Sequence, residues 1–356
     1  MERRWVHEAI AKVEADANRS ADTHLIPVPL PADWPVDLYL KDESVHPTGS
    51  LKHRLARSLV LYGLCNGWIG PHTVLVEASS GSTAVSEAAF ARLIGLPFVA
   101  VVPASTSPEK LDQIRFQGGR CELVDDPARV DDEARRIAEE SGGHFIDQFT
   151  YAERATDWRG NNNIAESIFE QMRLERHPVP RWLVVGAGTG GTSATLGRYV
   201  RYRRYDTEVC LVDPEGSVYA DSWEQHDRSL RASASEGLIE GIGRPKVEAS
   251  FVPEVVDRAQ RVPDAASVAG ARVVRRLLGR RVGASTGTNV WGALKIVAEM
   301  LAAGDAGSVV SLICDPGDRY EQTIYNEAWL ADRNLRPEPY EDLLDRFLAT
   351  GEWPSA

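Results

Sequence analysis

The sequence predicts an α/β protein whose mostly parallel sheet is covered by helices on both faces. Two observations carry that prediction. Short apolar runs rich in β-branched residues end in Gly- or Ser-rich turns, and each turn leads into a helical pattern. TVLVEASSGST runs into AVSEAAFARLIG, PFVAVVPAST precedes SPEKLDQIRFQGG, and RWLVVGAGTGGT precedes SATLGRYVRYRR. EVCLVDPEGS and SVVSLICDPGDRY repeat the strand-then-turn half of the unit. Strands that are apolar throughout, without alternation, are buried on both faces. Ligands in such folds collect at the carboxyl ends of the strands, where these turns lie.

The 356 residues suffice for two domains at about 100–200 residues each. A net charge of −12 argues against a nucleic-acid partner, which needs clustered Lys and Arg facing phosphates. Cys65, Cys121, Cys210 and Cys314 lie far apart, so neither a disulfide framework nor a metal site is indicated. Cys210 and Cys314 sit in apolar runs and read as small core residues. The N-terminal segment alternates charged and apolar residues, and no run approaches the roughly 18 apolar residues of a membrane span. A cytoplasmic protein is expected. Between Pro214 and Val256 the pattern is weakest, and DSWEQHDRSLRASASEG reads as an exposed connection. In the tail PYEDLLDRFLATG, Tyr340, Leu343, Leu344, Phe347 and Leu348 fit one helical face, which reads as intramolecular packing.

Three segments hold candidate chemistry. Gly188-Thr189-Gly190-Gly191-Thr192 lies between a strand and a helix. Backbone N–H groups, two threonine hydroxyls and a helix N-terminus converge there on the geometry of a phosphate site. It is neither a Walker loop nor the dinucleotide fingerprint, which weakens a Rossmann dehydrogenase reading. Ser79-Ser80-Gly81-Ser82-Thr83 also joins strand to helix. One hydroxyl suffices for N-capping, and four in five positions point to a carboxylate cradle. In KDESVHPTGSLKHRLARSLV, Pro47-Thr48-Gly49 makes a turn, Ser50 is a candidate cap, and Lys52 enters the first helical turn. A cation is disfavoured beside that positive helix end, which favours the neutral amine a Schiff base requires.

PTGSLKHR, EASSGSTAVSEA, GAGTGGT, EGIG and DPGDRY occur in the order, and near the spacing, of the cysteine synthase and cystathionine β-synthase family, which the chain resembles. The resemblance covers roughly residues 25–330. It implies the tryptophan synthase β-like fold (PLP fold type II), with two three-layer α/β domains. A smaller substrate-carboxylate-binding domain is expected over 45–155, and a larger phosphate-binding domain over 1–44 and 156–356. It also implies pyridoxal 5′-phosphate as cofactor, a small amino-acid substrate and a homodimer. Lys52 then looks like the Schiff-base lysine and acid/base for the α-proton, and Gly188, Thr189, Gly190, Gly191 and Thr192 look like the phosphate cup. Ser79, Ser80, Gly81, Ser82, Thr83 and Gln148 resemble the carboxylate clamp, and Gly241 the backbone turn beside the cofactor ring.

Three departures from the family pattern bear on the reaction. Ser82 stands where an asparagine touching the ring hydroxyl is usual. Gly243-Arg244-Pro245-Lys246 replaces small residues, so Arg244 and Lys246 are candidates for positive charge at the site mouth. Asp315 takes the place of a serine at the pyridine nitrogen, unless the alignment slips to Pro316. A carboxylate there favours the pyridinium, the better electron sink. With these departures, GTGGT, EGIGRP and WRGNNNIAES look more like the family's bacterial cysteine desulfhydrases than its synthases. The expected reaction is β-elimination on L-cysteine through an aminoacrylate, giving sulfide, pyruvate and ammonia. The alternative is β-replacement using O-acetylserine or O-phosphoserine plus sulfide.

Overall fold

The computed structural model describes residues 3–19, 22–232 and 237–354. In chain order the smaller unit's opening helix is α1 (Arg3–Arg19), followed by strands β1 (His24–Pro27) and β2 (Val36–Asp42). Next come α2 (Lys52–Cys65), β3 (Leu75–Ala78), α3 (Ser82–Ile94), β4 (Phe98–Pro103), α4 (Pro108–Phe116) and β5 (Arg120–Val124). Then follow α5 (Val130–Glu140), β6 (His144–Phe145), α6 (Gln148–Ala155), α7 (Ile164–Met172), β7 (Trp182–Gly186) and α8 (Gly191–Arg203). The remainder is β8 (Glu208–Pro214), α9 (Tyr219–Gln225), β9 (Arg258–Val262), α10 (Asp264–Leu278), α11 (Ala284–Ala303), β10 (Gly307–Ile313), α12 (Glu327–Asp332) and α13 (Glu338–Thr350).

These elements form two compact units, one of Met1–Asp22 and His46–Thr156, the other of Thr23–Val45 and Asp157–Ala356. The smaller holds a parallel sheet in the order β5-β4-β3-β6. Because side chains alternate along a strand, Leu75, Phe98, Ala100 and Val102 face a core shared with α1, α2 and α3. Val76, Ala78, Val99 and Val101 face α5 through Val130, Ala134 and Ala138. Sheet between two helical layers is the expected three-layer arrangement. The segment 1–44, expected with the larger domain, divides instead. Trp5, Val6, Ala9, Ile10 and Val13 of α1 pack into the core of α2 and α3, because that apolar stripe must be buried somewhere, so only Thr23–Val45 joins the larger unit.

In the larger unit the order is β1-β2-β10-β7-β8-β9, with β1 antiparallel to β2 and every other pairing parallel. All seven residues of β10 are buried, as a central parallel strand requires. One face packs against α10 and α11 in the main core, which Leu344 and Phe347 of α13 complete. Arg276 fixes the same helix from outside, bonding Glu341 at 2.7 Å and Asp345 at 2.6 Å. The tail stripe is therefore intramolecular packing. Helices α10 and α11 approach so closely that a Cβ on Gly270 would stand 2.3 Å from the Gly287 carbonyl oxygen.

The segment read as an exposed connection, 221–237, is largely exposed or half-buried, with Ser222 the one buried position among its described residues. Just before it, α9 opens with Tyr219 and Ala220 buried, and Tyr219 stacks on Phe251 with ring centroids 4.2 Å apart. Residues 233–236 of that segment lie outside the described residues. Cys210 lies in the core, whereas Cys314 is only half-buried. Among the described residues no helix is long and apolar enough to cross a membrane, and no cluster of His, Cys, Asp and Glu has the makings of a metal site.

Phe347→Ala removes a fully buried ring from this core. A loss of about 3–5 kcal/mol of stability is expected for such a truncation, read by urea unfolding. An unchanged midpoint would show that α13 is not part of the core.

Candidate active site

The site-forming turns follow the carboxyl ends of parallel strands: residues 79–81 after β3, 187–190 after β7 and 314–316 after β10. In the smaller unit, α2 begins at Lys52 itself. Gly49 takes a positive φ of 74°, and its N–H donates to the His46 carbonyl at 2.7 Å, closing the Pro47-Thr48 turn. Ser50 does not occupy the cap position, which is Leu51; its hydroxyl accepts the Lys52 N–H at 3.3 Å. The Thr48 hydroxyl lies 2.8 Å from that of Ser86 and 3.2 Å from His53 Nδ1. These contacts tie the lysine-bearing turn to α3. By contrast Lys41, a fully buried lysine on β2 of the larger unit, commits its amine to the Thr23 carbonyl and Gln171 Oε1, both at 2.7 Å.

The cap of α3 is Gly81, which has no side chain to offer. The first-turn N–H groups of a helix have no intrahelical acceptor, so none of the four hydroxyls acts here as a conventional N-cap. Ser79 Oγ accepts the Gly81 N–H at 3.3 Å, which shapes the turn. Thr83 donates to Gln148 Oε1 at 2.8 Å, so two predicted clamp residues from α3 and α6 meet directly. Ser79, Ser80, Gly81 and Ser82 are half-buried. A Cβ on Gly81 would meet nothing within 4 Å.

In the larger unit, α8 starts at Gly191 from a Gly190 cap with φ of 87°, again without a side-chain cap. Glycine is required at 190 twice over. The left-handed backbone favours it, and a Cβ would stand 2.6 Å from Phe251 Cα. Thr189 Oγ1 accepts the Gly191 N–H at 3.2 Å, so this buried threonine closes the loop while Thr192 stays half-buried. The Tyr219 hydroxyl donates to the Gly188 carbonyl at 2.6 Å and fixes the loop from behind.

Gly241 is brought to the same loop. The Gly243 N–H donates to the Ala187 carbonyl at 2.7 Å, and Ile242 fills the space beside Gly186. Gly241 itself has φ of 90°, and a Cβ at this position would have no neighbour within 4 Å. Arg244 and Lys246 share a single carboxylate. Arg244 bonds Glu248 at 2.9 Å, and Lys246 lies 3.7 Å from the same buried carboxylate.

Asp315 is buried, and its Oδ2 accepts the Tyr320 hydroxyl at 2.6 Å. Burial pushes the Tyr320 phenol well above its ordinary range, helped by the Asp315 and Glu240 carboxylates. Tyr320 thus stays a neutral donor. Asp315 also borders Gly283, the cap of α11, where a Cβ would collide with its Oδ1. Pro316 has no N–H and pairs across an isolated bridge with Val282, so Asp315 is the residue of this turn that offers polar chemistry.

Four contributors were not foreseen: Tyr219, Tyr320, Thr286 and Asn289. Asn289, on the largely buried α11, accepts the Gly186 N–H at 2.8 Å and reaches Leu312 O and Cys314 Sγ at 3.4 Å. Thr286 accepts the Cys314 N–H at 3.0 Å. The two side chains tie the end of β7 to the end of β10. Their signal was the polar cluster Ser285-Thr286-Gly287-Thr288-Asn289 opening a buried helix.

The chain is similar to known proteins. The family described as pyridoxal-phosphate dependent enzymes matches residues 19–315. L-cysteine desulfhydrase Cds1 of Mycobacterium tuberculosis is 58% identical, over 99% of this chain and 97% of that protein. Cysteine synthase 2 of Schizosaccharomyces pombe is 29% identical, over 85% of this chain and 80% of its own. A crystal structure of O-ureido-L-serine synthase superposes with a TM-score of 0.74 at 26% identity, covering 87% of this chain and 96% of that one.

Gly190→Ala tests the loop at the helix start. The substituted protein is expected to fold but to be purified with little cofactor, read by visible absorbance alongside circular dichroism. Full cofactor content in a folded Gly190→Ala protein would remove the 188–192 turn from the site.

Proposed function

The chain belongs to the family of pyridoxal-phosphate-dependent enzymes, and from that premise we propose that it is an L-cysteine desulfhydrase. The observation that carries this reading is its end-to-end likeness to the mycobacterial desulfhydrase. In the reaction L-cysteine loses its α-proton and its β-sulfur and takes up one water. Sulfide, ammonia and pyruvate leave.

The residues present fit the cofactor. The start of α8 is capped by glycine and unblocked by any cap side chain, which suits a phosphate. Gly241 leaves open space beside that loop, and Asp315 offers a buried carboxylate. Gly188, Thr189, Gly190, Gly191 and Thr192 would hold the phosphate, Lys52 the aldehyde, Gly241 the ring edge and Asp315 the ring nitrogen. When bound, pyridoxal phosphate supplies the electron sink that makes loss of the α-proton feasible.

The remaining chemistry belongs to side chains and backbone. The first turn of α3, with Ser79, Ser80, Gly81, Ser82, Thr83 and Gln148, grips the substrate carboxylate and so fixes which face of the α-carbon is presented. The positive end of the α3 dipole favours that anion. Lys52 Nζ, at the start of α2, removes the α-proton and is positioned by the Thr48–Ser86 contact. Asp315 would favour a protonated ring nitrogen by charge pairing, and Tyr320 holds the carboxylate in place. Ser82, shorter than asparagine, would leave room at the ring hydroxyl. A homodimer, the assembly implied by the family resemblance, and a cytoplasmic setting complete the reading. None of the four cysteines forms a disulfide, as suits a reducing compartment.

Purified enzyme given cysteine alone is expected to release sulfide and pyruvate in equal amounts. Negligible release, with rapid cysteine formation from O-acetylserine or O-phosphoserine plus sulfide, would assign β-replacement instead. Lys52→Ala is expected to abolish both turnover and the absorbance of the lysine-bound cofactor; retained turnover would reject Lys52 as the base.

A further inference from the structure

Beneath the hydroxyl turn of the smaller unit, two acidic side chains lie in the core. Glu77 on β3 and Glu87 on α3 are both fully buried. Alternation along β3 turns Glu77 toward the helical layer that holds α3. Glu77 accepts the Ala78 N–H at 2.9 Å and the Gln148 N–H at 3.2 Å. No hydrogen-bond donor reaches either Glu87 oxygen among the described residues; the group Glu87 meets is the Glu77 carboxyl.

Among the described residues, the electrostatic partners of the pair include no cation. On α5 and at the start of α6, Asp131 and Asp147 bear on Glu77 with the same sign of charge. Arg135 is engaged by Asp147 at 3.0 Å. Burial pushes His144 of β6 down to about 4, so it is neutral at physiological pH. Strand β4 has no ionisable side chain, and His53 of α2 stacks on Phe90 with ring centroids 4.8 Å apart. Two adjacent carboxylates without a cation, in an apolar core, cannot both be ionised. One proton must lie between them.

The pair also closes a ring with the clamp. Thr83 and Glu87, four residues apart on α3, share one helix face. Thr83 donates to the Gln148 side chain, the Gln148 N–H donates to Glu77, and Glu77 meets Glu87. We propose that Glu87 is a positioning residue for substrate binding: its proton bridges to Glu77, and the bridged pair holds Gln148 against Thr83 at the carboxylate clamp. This inference rests on reading Thr83 and Gln148 as that clamp.

A pH dependence follows. Burial pushes Glu77 up to about 8, and burial together with the Glu77 charge pushes Glu87 well above the carboxylate range. The folded protein therefore holds the proton more tightly than the unfolded chain. The pair's stabilisation is complete below the ordinary carboxylate range and is lost as pH rises through the raised value of Glu87, which holds the bridging proton.

The test uses the cofactor-loaded enzyme and cysteine. Glu87→Leu keeps the volume but removes the bridge, and a roughly tenfold rise in KM with little change in kcat is expected. Glu87→Gln retains a donor to Glu77 without a titrating proton. It is expected to rescue KM and to abolish the alkaline rise in KM expected of the unaltered enzyme. Infrared spectra should show an un-ionised carboxyl band at neutral pH that Glu87→Gln removes. Absence of that band, or an unchanged KM in Glu87→Leu alongside a raised one in Thr83→Ala, overturns the inference alone. An unchanged KM in Thr83→Ala overturns the clamp and the inference with it.

Discussion

Two helices of this protein follow a parallel strand and begin from a glycine with no side chain capping them, and the candidate site is built on those two starts. They are α3, which starts from Gly81, and α8, which starts from Gly190. A helix start carries unmatched N–H groups and about half a positive charge. Proteins normally quench both with a Ser, Thr, Asp or Asn cap. Here glycine keeps the approach open, and an anion is the natural partner. In the reading proposed above, α3 would take the carboxylate of the substrate and α8 the phosphate of the cofactor. Helix α11 shows the contrasting solution: its cap is also a glycine, Gly283, but the chain's own Asp315 carboxylate borders it.

Holding such starts in place requires rigid packing behind them. In the larger unit, Tyr219 anchors the Gly188 carbonyl, while Asn289 and Thr286 tie the ends of β7 and β10 together. The close crossing at Gly270 and Gly287 sets where α11 delivers those two side chains. In the smaller unit, the Thr48–Ser86 and Thr83–Gln148 contacts play the same part. Buried polar networks of this kind hold one geometry when every member is satisfied. The aromatic stack of Tyr219 on Phe251 adds stiffness without adding charge.

Much of this was legible in the residues. The sheet followed from unbroken apolar runs such as SVVSLI, and the site turns from Gly and Ser clusters at their ends. What could not be read were partners distant in sequence. Tyr219 is 31 positions from Gly188, and Asn289 is 103 from Gly186. A lone Tyr or Asn carries no local signal of such a bond. Helix α1 falls outside its expected domain for the same reason, since an apolar stripe announces burial but not against which core. Arg244 and Lys246 read as site charges because their shared partner Glu248 lies close in sequence yet becomes buried only in the fold. Glu77 was hidden in plain view, the one acid in the apolar run TVLVEASS.

A crystal structure of the cofactor-loaded enzyme tests the role of the open helix starts most directly. Phosphate density is expected at the start of α8, within hydrogen-bonding distance of backbone N–H groups between Gly188 and Thr192. Phosphate bound elsewhere would contradict it.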